Sequence, residues 1–408
     1  MLSSKTTKSM KPKIVIIGHS FTSRLGLVWA LAGLDCEIII LSMVGPNPKG
    51  PGLETIKDID LYSKYVSKVH FFGKSEEELM QALEKCKDPG RKVILIPDSD
   101  FSSCVIDEHR EELEPYFHFP YIKNGGTIKD WNDKGKQKEL AASVGLNVAQ
   151  SVSFFTQDGK YVLPDGIKYP CFPKAQSTIL GGKRGLERCD NEEQLHNLIR
   201  RMCREYDLQV MVEEYLKIEK EYAVLGFSDG ENVIIPGLVE MLVSGIYRPG
   251  ITKFGRVSGL EGFEDIVLKF KEFVRKLGFV GIFDIDFYLS SGKLYFSEIN
   301  LRFGGSGYAI TKMGVSLPAM YVKTLLGDSL DGMARTIHCN KTFTNERLCM
   351  DDWYRGYETT RQYFHYLRTA DIRFLQNPED KGPGRAYRRR FLKNWVKRTI
   401  KRGLGRLK

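Results

Sequence analysis

The sequence lacks the features that mark membrane-spanning, secreted and zinc-binding proteins. No apolar run approaches the roughly 18 residues of a membrane-spanning helix, and the opening stretch MLSSKTTKSM has no hydrophobic segment of the secretory type. The eight cysteines form no Cys-x-x-Cys pair and no Cys/His cluster. We therefore expect reduced thiols in a cytoplasmic protein, not a disulfide framework or a zinc site.

Two common nucleotide-binding motifs are also missing. The turn GHSFTSRLG, residues 18–26, is not Gly-x-Gly-x-x-Gly and does not predict a dinucleotide site. A sheet-to-helix turn that packs, or that binds the edge of a substrate, is the simpler interpretation. The segment QSTILGGKRG, residues 176–185, lacks the Gly-Lys-Ser/Thr at a helix start that defines a Walker A loop.

The positive charge is confined to one end of the chain. From Pro378 onward there are twelve Lys/Arg and two Asp/Glu, which accounts for the whole net charge of +10. The preceding residues carry equal numbers of basic and acidic side chains. The pattern indicates a neutral body with a basic tail, and it argues against a generally basic protein that binds nucleic acid.

Hydrophobic patterning predicts an α/β unit followed by two α+β segments. Strands at 14–17 and 37–41 flank a helix, which is the βαβ signal, and a further strand follows near 91–100. Later runs, separated by turns at 228–230 and 290–292, read as an antiparallel sheet. We expect five segments: an N-terminal domain (1–124), a small subdomain (125–210), a large subdomain (211–330), a cap (331–378) and a basic tail (379–408).

An acidic hairpin is the first candidate site. The stretch FDIDFYLSSGKLYFSEIN places Asp286 on one strand and Glu298 and Asn300 on the other, across a Ser-Ser-Gly turn. Side chains alternate along strands, so these oxygen donors share a face and approach one another across the ladder. Such a set suits Mg²⁺. A solvated face of an edge hairpin is the alternative.

A glycine-bearing loop and two lysines form the second candidate. Glycines in residues 176–185 would let backbone N–H groups approach phosphates, and Lys183 adds charge. Lys134 on a helix and Lys174 at a strand end could each neutralise phosphate. Taken singly, such a loop is more commonly a flexible surface turn, and such lysines are more often solvated.

The order of these elements resembles the ATP-grasp superfamily of carboxylate–amine (or carboxylate–thiol) ligases. Lys134 is followed by YPCFPKA with Lys174, then by the glycine loop, VEEYLKIEKEY and DIDF…FSEINLRFGG. The resemblance covers roughly residues 125–330. It implies an ATP-grasp fold, with an N-terminal Rossmann-like α/β domain similar to the one that precedes the grasp in that superfamily.

The resemblance also implies roles for individual residues. Those matched to the ATP phosphates are Lys134 and Lys174, with Ser177, Thr178, Gly181, Gly182 and Lys183 in the loop that closes over them. Those matched to adenine and ribose are Glu213, Glu214, Tyr215, Leu216 and Glu221. Asp286, Glu298 and Asn300 match the metal ligands. Asp286 is preferred to Asp284 because the short turn keeps it closer to Glu298.

The implied chemistry is ADP-forming amide-bond formation with ATP and Mg²⁺, or Mn²⁺ in its place. ATP would phosphorylate a carboxylate to an acyl phosphate, an amine would attack, and phosphate would leave. Arg302 and Lys174 match the catalytic residues that stabilise charge on the transferred phosphoryl group. Arg248, Lys253 and Arg256, in IYRPGITKFGR, are candidates to hold an acidic substrate, with an ordinary surface loop as the alternative.

The basic tail has its own pattern. Five apolar residues share one broad face of a predicted helix, and Lys393, Lys397 and Arg398 lie off it; the apolar set is Phe391, Leu392, Trp395, Val396 and Ile400. Such a helix suits an anionic membrane surface at residues 379–408. A helix docked on the body and an arm that binds nucleic acid are the alternatives.

We therefore predict a cytoplasmic ligase, with peripheral attachment to the inner face of the plasma membrane as an option. Its partners would be small carboxylate and amine substrates, without specific nucleic acid, and a homodimer is an alternative to a monomer. The acceptor could be a cell-envelope precursor or a free amino acid or dipeptide. An inactive nucleotide-binding protein tethered by its tail is the alternative from another class.

Overall fold

The computed structural model describes residues 11–19, 21–45, 58–177, 187–204, 207–333 and 335–403. The N-terminal unit is a five-stranded parallel sheet in the order β3-β2-β1-β4-β5. Its strands are β1 (Lys13–Gly18), β2 (Glu37–Met43), β3 (Val66–Phe72), β4 (Val93–Pro97) and β5 (Phe117–His118). Its helices are α1 (Phe21–Leu31), α2 (Glu76–Glu84), α3 (Asp100–Glu108) and α4 (Arg110–Leu113).

The strand order of this unit reverses between β1 and β4. Both strands are continuous apolar runs, as expected of parallel strands that are covered on both faces. Ligands of open parallel sheets bind in the crevice beyond the carboxyl ends of the strands, at the point where the order reverses. That point lies between Gly18 and the residues that follow Pro97.

A short connecting region leads to a small antiparallel sheet. The connection contains β6 (Tyr121–Ile122), a 3-10 turn (Asp130–Asn132), α5 (Lys134–Ser143) and β7 (Asn147–Val148). The small sheet has β8 (Ser151–Phe155), β9 (Cys171–Ala175) and β10 (Gln209–Glu214) in the order β8-β10-β9. Helix α6 (Glu192–Met202), capped by Asn191, covers it and buries Leu195, Leu198, Ile199 and Met202 in a separate small core.

A ten-stranded sheet forms the centre of the molecule. Its own strands are β11 (Lys220–Asp229), β12 (Val233–Ile234), β13 (Leu238–Ser244), β14 (Thr252–Ser258), β15 (Phe279–Ser290), β16 (Lys293–Asn300), β17 (Lys341–Thr344) and β18 (Ile372–Arg373). The main path is β18-β17-β14-β13-β11-β15-β16-β7, with β12 on β11 and β6 on β15. Three helices follow strands of this sheet: α7 (Glu264–Leu277), α8 (Gly307–Lys312) and α9 (Leu317–Leu326).

The C-terminal region is mainly helical and packs against the N-terminal unit and the central sheet. It comprises α10 (Glu346–Arg355), α11 (Thr360–Thr369) and α12 (Lys381–Gly403). Asp380, just before α12, accepts hydrogen bonds from Trp29 Nε1 (2.8 Å) and Ser63 Oγ (2.5 Å) of the N-terminal unit. One continuous hydrophobic core contains buried residues from the N-terminal unit, the central sheet and the C-terminal helices, from Ile14 to Tyr387.

The predicted organisation of an α/β unit followed by α+β segments is confirmed. The residue boundaries of the five segments stay predictions, and β7, assigned to the small subdomain, pairs with β16 of the central sheet. Among the described residues, no helix is both long and apolar enough to cross a bilayer.

Candidate nucleotide and metal site

The acidic hairpin forms, with a shift in the pairing register next to Asp286 that strand alternation alone does not predict. Across β15 and β16, Asp286 lies opposite Glu298, and Asp284 lies opposite Asn300. Asn300 Nδ2 is 3.4 Å from Asp286 Oδ2. The residues between them face the other way into a hydrophobic core, including Ile285 at 0% exposure. The polar face is thereby held as one surface by the packing beneath it.

Helix α5 places Lys134 on this face. Its ammonium lies 2.6 Å from Glu298 Oε2, and the residue is only 8% exposed. One turn along, the Gln137 side chain accepts from the Ile299 N–H (3.0 Å) and donates to the Ile299 carbonyl (3.1 Å). This pair fixes the helix against β16, so the position of Lys134 over Glu298 is set by backbone contacts and not by the ion pair alone.

Asp284, which the sequence analysis set aside, has a distinctive environment. Its Oδ1 is buried without a hydrogen-bond partner among the described residues. A Cβ on Gly304 would lie 2.0 Å from Asp284 Oδ2, so the glycine leaves room for the carboxylate. Burial raises the pKa of Asp284, Arg302 opposes that rise, and Glu298 adds to it. A bound cation would offset the negative charge that Asp284 and Glu298 concentrate at this position.

The donors fit a metal that is completed by substrate phosphates. No group of three His, Cys, Asp or Glu side chains in the described part of the chain could hold a metal by itself. Mg²⁺ commonly takes one or two protein carboxylates and fills its other positions with water and phosphate oxygens. Two facing carboxylates and the Asn300 amide oxygen are consistent with that donor set.

A second cluster joins α5 to the small sheet. Glu213 Oε1 is 2.7 Å from Lys174 Nζ on β9 and also contacts Lys138 Nζ from α5. Burial lowers the pKa of Lys138, while Glu213 raises it. The sequence analysis missed Lys138, although it lies four residues after Lys134, on the same side of a helix. Two cations around one carboxylate leave excess positive charge beside the phosphate candidates.

The start of the glycine loop lies against the N-terminus of α5. Ser177 forms a bridge with Asp133, the N-cap residue of that helix, and Gln176 Nε2 donates to Asp133 Oδ2 (2.8 Å). The remaining loop candidates, Thr178, Gly181, Gly182 and Lys183, lie outside the described residues.

The segment proposed for adenine and ribose links the small and central sheets. Glu214 Oε1 accepts from the Gln150 N–H (2.9 Å), and the Tyr215 N–H donates to the Pro170 carbonyl (3.0 Å). Leu216 follows in the connection, and Glu221 on β11 lies opposite Tyr288. The five candidates therefore line the junction of the two sheets, and their ligand contacts stay predictions.

Arg302 connects the hairpin to the N-terminal unit. Its Nε donates to Asp100 Oδ1 (2.7 Å) at the start of α3, and its Nη2 donates to Asn300 Oδ1 (3.2 Å). Burial disfavours its charge, but Asp100, Asp284 and Asp98 raise the pKa of Arg302 above its ordinary value. The guanidinium therefore stays charged within a group of carboxylates.

Asp98 is a further site residue that the sequence analysis did not identify. It follows β4 at the point where the strand order reverses and is 4% exposed, with the backbone N–H of His19 as a hydrogen-bonding neighbour of its carboxylate. A Cβ on Gly18 would lie 1.4 Å from Asp98 Oδ1, so only glycine accommodates it. Burial raises the pKa of Asp98 to about 7, and Arg24 and Arg302 limit that rise.

The three candidate substrate-binding residues in IYRPGITKFGR have different environments in the structure. Lys253 is completely buried, 2.8 Å from Asp352 Oδ2 and 2.5 Å from Glu358 Oε1, so its role is structural and its candidacy was wrong. Arg256 lies 3.3 Å from Glu240 on the sheet surface. Arg248 is exposed. Partial desolvation, Arg24 and Arg302 lower the pKa of His19, and Arg248 adds a smaller contribution in the same direction.

Known proteins resemble this chain in sequence and in fold. Residues 139–316 match the family model described as the ATP-grasp domain. The carbamoyl phosphate synthase large chain of Clostridium beijerinckii is 26% identical over 343 residues, which is 79% of this chain and 30% of that protein. The chain therefore spans about a third of the length of such curated relatives.

Solved structures share the fold at low identity. N5-carboxyaminoimidazole synthetase from Staphylococcus aureus, complexed with ADP, matches with a TM-score of 0.61 at 18% identity, covering 82% of this chain and 83% of that one. The biotin carboxylase domain of Hydrogenobacter thermophilus 2-oxoglutarate carboxylase, solved with MgADP and bicarbonate, gives 0.60 at 19% identity, with 82% and 74% covered. This chain therefore has the ATP-grasp fold, and its residues 139–316 match the ATP-grasp domain.

Proposed function

We propose that this chain is an ATP- and Mg²⁺-dependent ligase that activates a carboxylate as an acyl phosphate and joins it to an amine, releasing ADP and phosphate. One observation carries the proposal. An acidic face (Asp286, Glu298 and Asn300), a phosphate-binding cation (Lys134) and the arginine of the reaction centre (Arg302) meet at the end of one hairpin.

The nucleotide would lie between the small and central sheets. Lys134 and Lys174 would contact its phosphates, with Lys138 adding positive charge from beneath. Asp286, Glu298 and Asn300 would hold Mg²⁺, which supplies neutralising charge between the phosphates when it is bound. Lys134 already contacts Glu298 (2.6 Å), so metal and lysine would share that carboxylate.

Arg302 is suited to the phosphoryl-transfer step. Charge spreads over the transferred phosphoryl oxygens in the transition state, and a fixed cation there lowers the barrier. Asp100 holds the guanidinium in place through Nε (2.7 Å) and comes from the N-terminal unit. The site is therefore complete only when that unit and the hairpin are together.

Asp98 is suited to binding the amine substrate and accepting its proton. An amine attacks an acyl phosphate only after it has lost its proton. A carboxylate whose pKa is about 7 can bind an ammonium group and accept its proton near neutral pH. Its place at the reversal of the parallel sheet, within the electrostatic reach of Arg302, supports this role.

The test is ADP release with pools of carboxylates and amines. We expect turnover that requires one member of each pool, and we expect Glu298→Gln to lower it by about 10²-fold or more while the protein stays folded and binds ATP. Retained ATP binding without turnover for any pair would favour a nucleotide-binding protein that is not an enzyme. Unchanged turnover in Glu298→Gln would overturn the metal assignment.

Two finer versions of the proposal differ in the acceptor. A cell-envelope precursor would suit a protein held at a membrane by its basic tail, whereas free amino acids or dipeptides need no such attachment. Fractionating the active amine pool by carrier attachment and by size would separate the two.

A further inference from the structure

We propose that the outward face of α12 docks on an anionic lipid surface, an interaction that goes beyond the ligase activity. The sequence analysis placed five apolar residues on one broad face of this helix. In the structure, one part of that face packs against the rest of the protein, and the other part is exposed.

One side of α12 is built into the protein. Phe391 stacks on Tyr363 (ring centroids 5.2 Å apart) and on Trp353 (5.1 Å). Arg398, which the sequence pattern placed off the apolar face, is 3% exposed and donates to the Glu358 carbonyl (2.9 Å). These contacts fix the rotation of the helix and so determine which residues face outward.

The other side presents an aliphatic stripe. Leu392, Val396 and Ile400, called the outer stripe below, are 64%, 59% and 57% exposed. With 3.6 residues per turn they fall within an arc of roughly 80° on the helix surface. Trp395, 41% exposed, borders the stripe and also packs against Trp353 (5.7 Å). Three successive turns of exposed aliphatic side chains form a continuous surface and not scattered single residues.

The charge around the stripe selects an anionic lipid as its occupant. Residues 381–403 contain no Asp or Glu, and six exposed cations lie along the part of the helix whose side chains the structure describes: Lys381, Arg385, Arg388, Arg389, Lys393 and Lys397. Long basic side chains can reach headgroup phosphates while aliphatic neighbours enter the acyl boundary. Nucleic acid would use the cations but would gain little from the stripe.

The experiment measures partitioning of the full chain onto vesicles. Phosphatidylcholine vesicles are compared with phosphatidylcholine–phosphatidylserine vesicles by flotation. We expect about tenfold or greater preference for the anionic vesicles. The variant Leu392→Gln/Val396→Gln/Ile400→Gln should lower that partitioning by about tenfold or more.

A matched control separates the stripe from general hydrophobicity. Val162, Leu268 and Leu326 are exposed aliphatic residues outside α12. Their combined change to Gln should leave partitioning unchanged. Equal thermal unfolding temperatures for both triple variants would show that neither has lost its fold.

A second readout uses Trp395. Its emission should shift to the blue on anionic vesicles, and the shift should disappear in Trp395→Phe. Equal partitioning on both vesicle types would overturn the proposal, and so would anionic binding that the stripe variant leaves intact. Preferential binding to RNA, or a dimer that the stripe variant dissolves without any vesicle binding, would also overturn it.

Discussion

Replacing Asp98 by Asn should make the protein more stable at alkaline pH and less active. Asp98 is 4% exposed, and burial is the largest influence on the pKa of its carboxyl group. Its ionised form is therefore costly in the folded state, and Asn has nearly the same shape without the charge. A residue that lowers stability where substrate would bind is expected to serve function.

The size of the effect follows from the pKa of Asp98. Burial raises that pKa from 3.8 to about 7. The folded protein thus keeps a proton that the unfolded chain releases, so wild-type stability falls as pH rises from about 4 to about 7 and then levels. A pKa difference of about three between the folded and unfolded states corresponds to about 4 kcal/mol of folding free energy. Asn carries no proton and lacks this dependence.

Urea unfolding at pH 5 and pH 8 tests the argument. The stability advantage of Asp98→Asn over wild type should grow by about 2 to 3 kcal/mol between the two pH values. In the ADP-release assay the same variant should lose about 10²-fold in kcat without a change in ATP affinity, because Asn cannot accept the amine's proton.

An exposed aspartate provides the control. Asp165→Asn removes one negative charge from a surface position, and its stability difference from wild type should not change with pH. A constant difference for Asp98→Asn at both pH values would refute the claim that a buried, ionised Asp98 destabilises the folded protein. Unchanged kcat would refute its role with the amine.

Three further outcomes are expected. Glu213→Gln should destabilise the protein by about 2 to 4 kcal/mol in thermal or urea unfolding, because the buried Lys138 and the partly buried Lys174 lose their shared counter-ion. Gly304→Ala should lower turnover at least about tenfold and should also lower stability, because the new Cβ displaces Asp284. In a double-mutant cycle, adding Asp284→Ala should restore that stability. Asn300→Ala should raise the Mg²⁺ concentration needed for half-maximal activity by about tenfold or more, because the metal loses an oxygen donor.

Local periodicity predicted only part of the hairpin site. The two-residue alternation of strands brings Glu298 and Asn300 to one face, but Asp286 lies opposite Glu298 only because the pairing shifts register next to Asp286. It could not show that Lys134 contacts Glu298, because those residues are 164 positions apart and meet only through the packing of α5 on β16.

Asp98 and Asp100 were missed for a similar reason. Both lie within the strand that the sequence predicts near residues 91–100, whereas β4 ends at Pro97. Their importance depends on β4 lying beside β1 and on Arg302 reaching across from the hairpin. Strand order is a property of the folded chain and is not encoded in any short segment. In the tail, the helical period identified the apolar face correctly but could not divide it between docked and outward residues.

The separate core of the small sheet determines how the site can open. Its buried residues contact one another and form a cluster apart from the core shared by the N-terminal unit and the central sheet. The two chain segments at its base are joined, because Glu214 accepts from the Gln150 N–H. The small sheet can therefore turn as one rigid piece without repacking a core. The free-energy cost of opening then lies in the contacts that join this sheet to α5, which include Glu213 with Lys138 and Gln176 with Asp133.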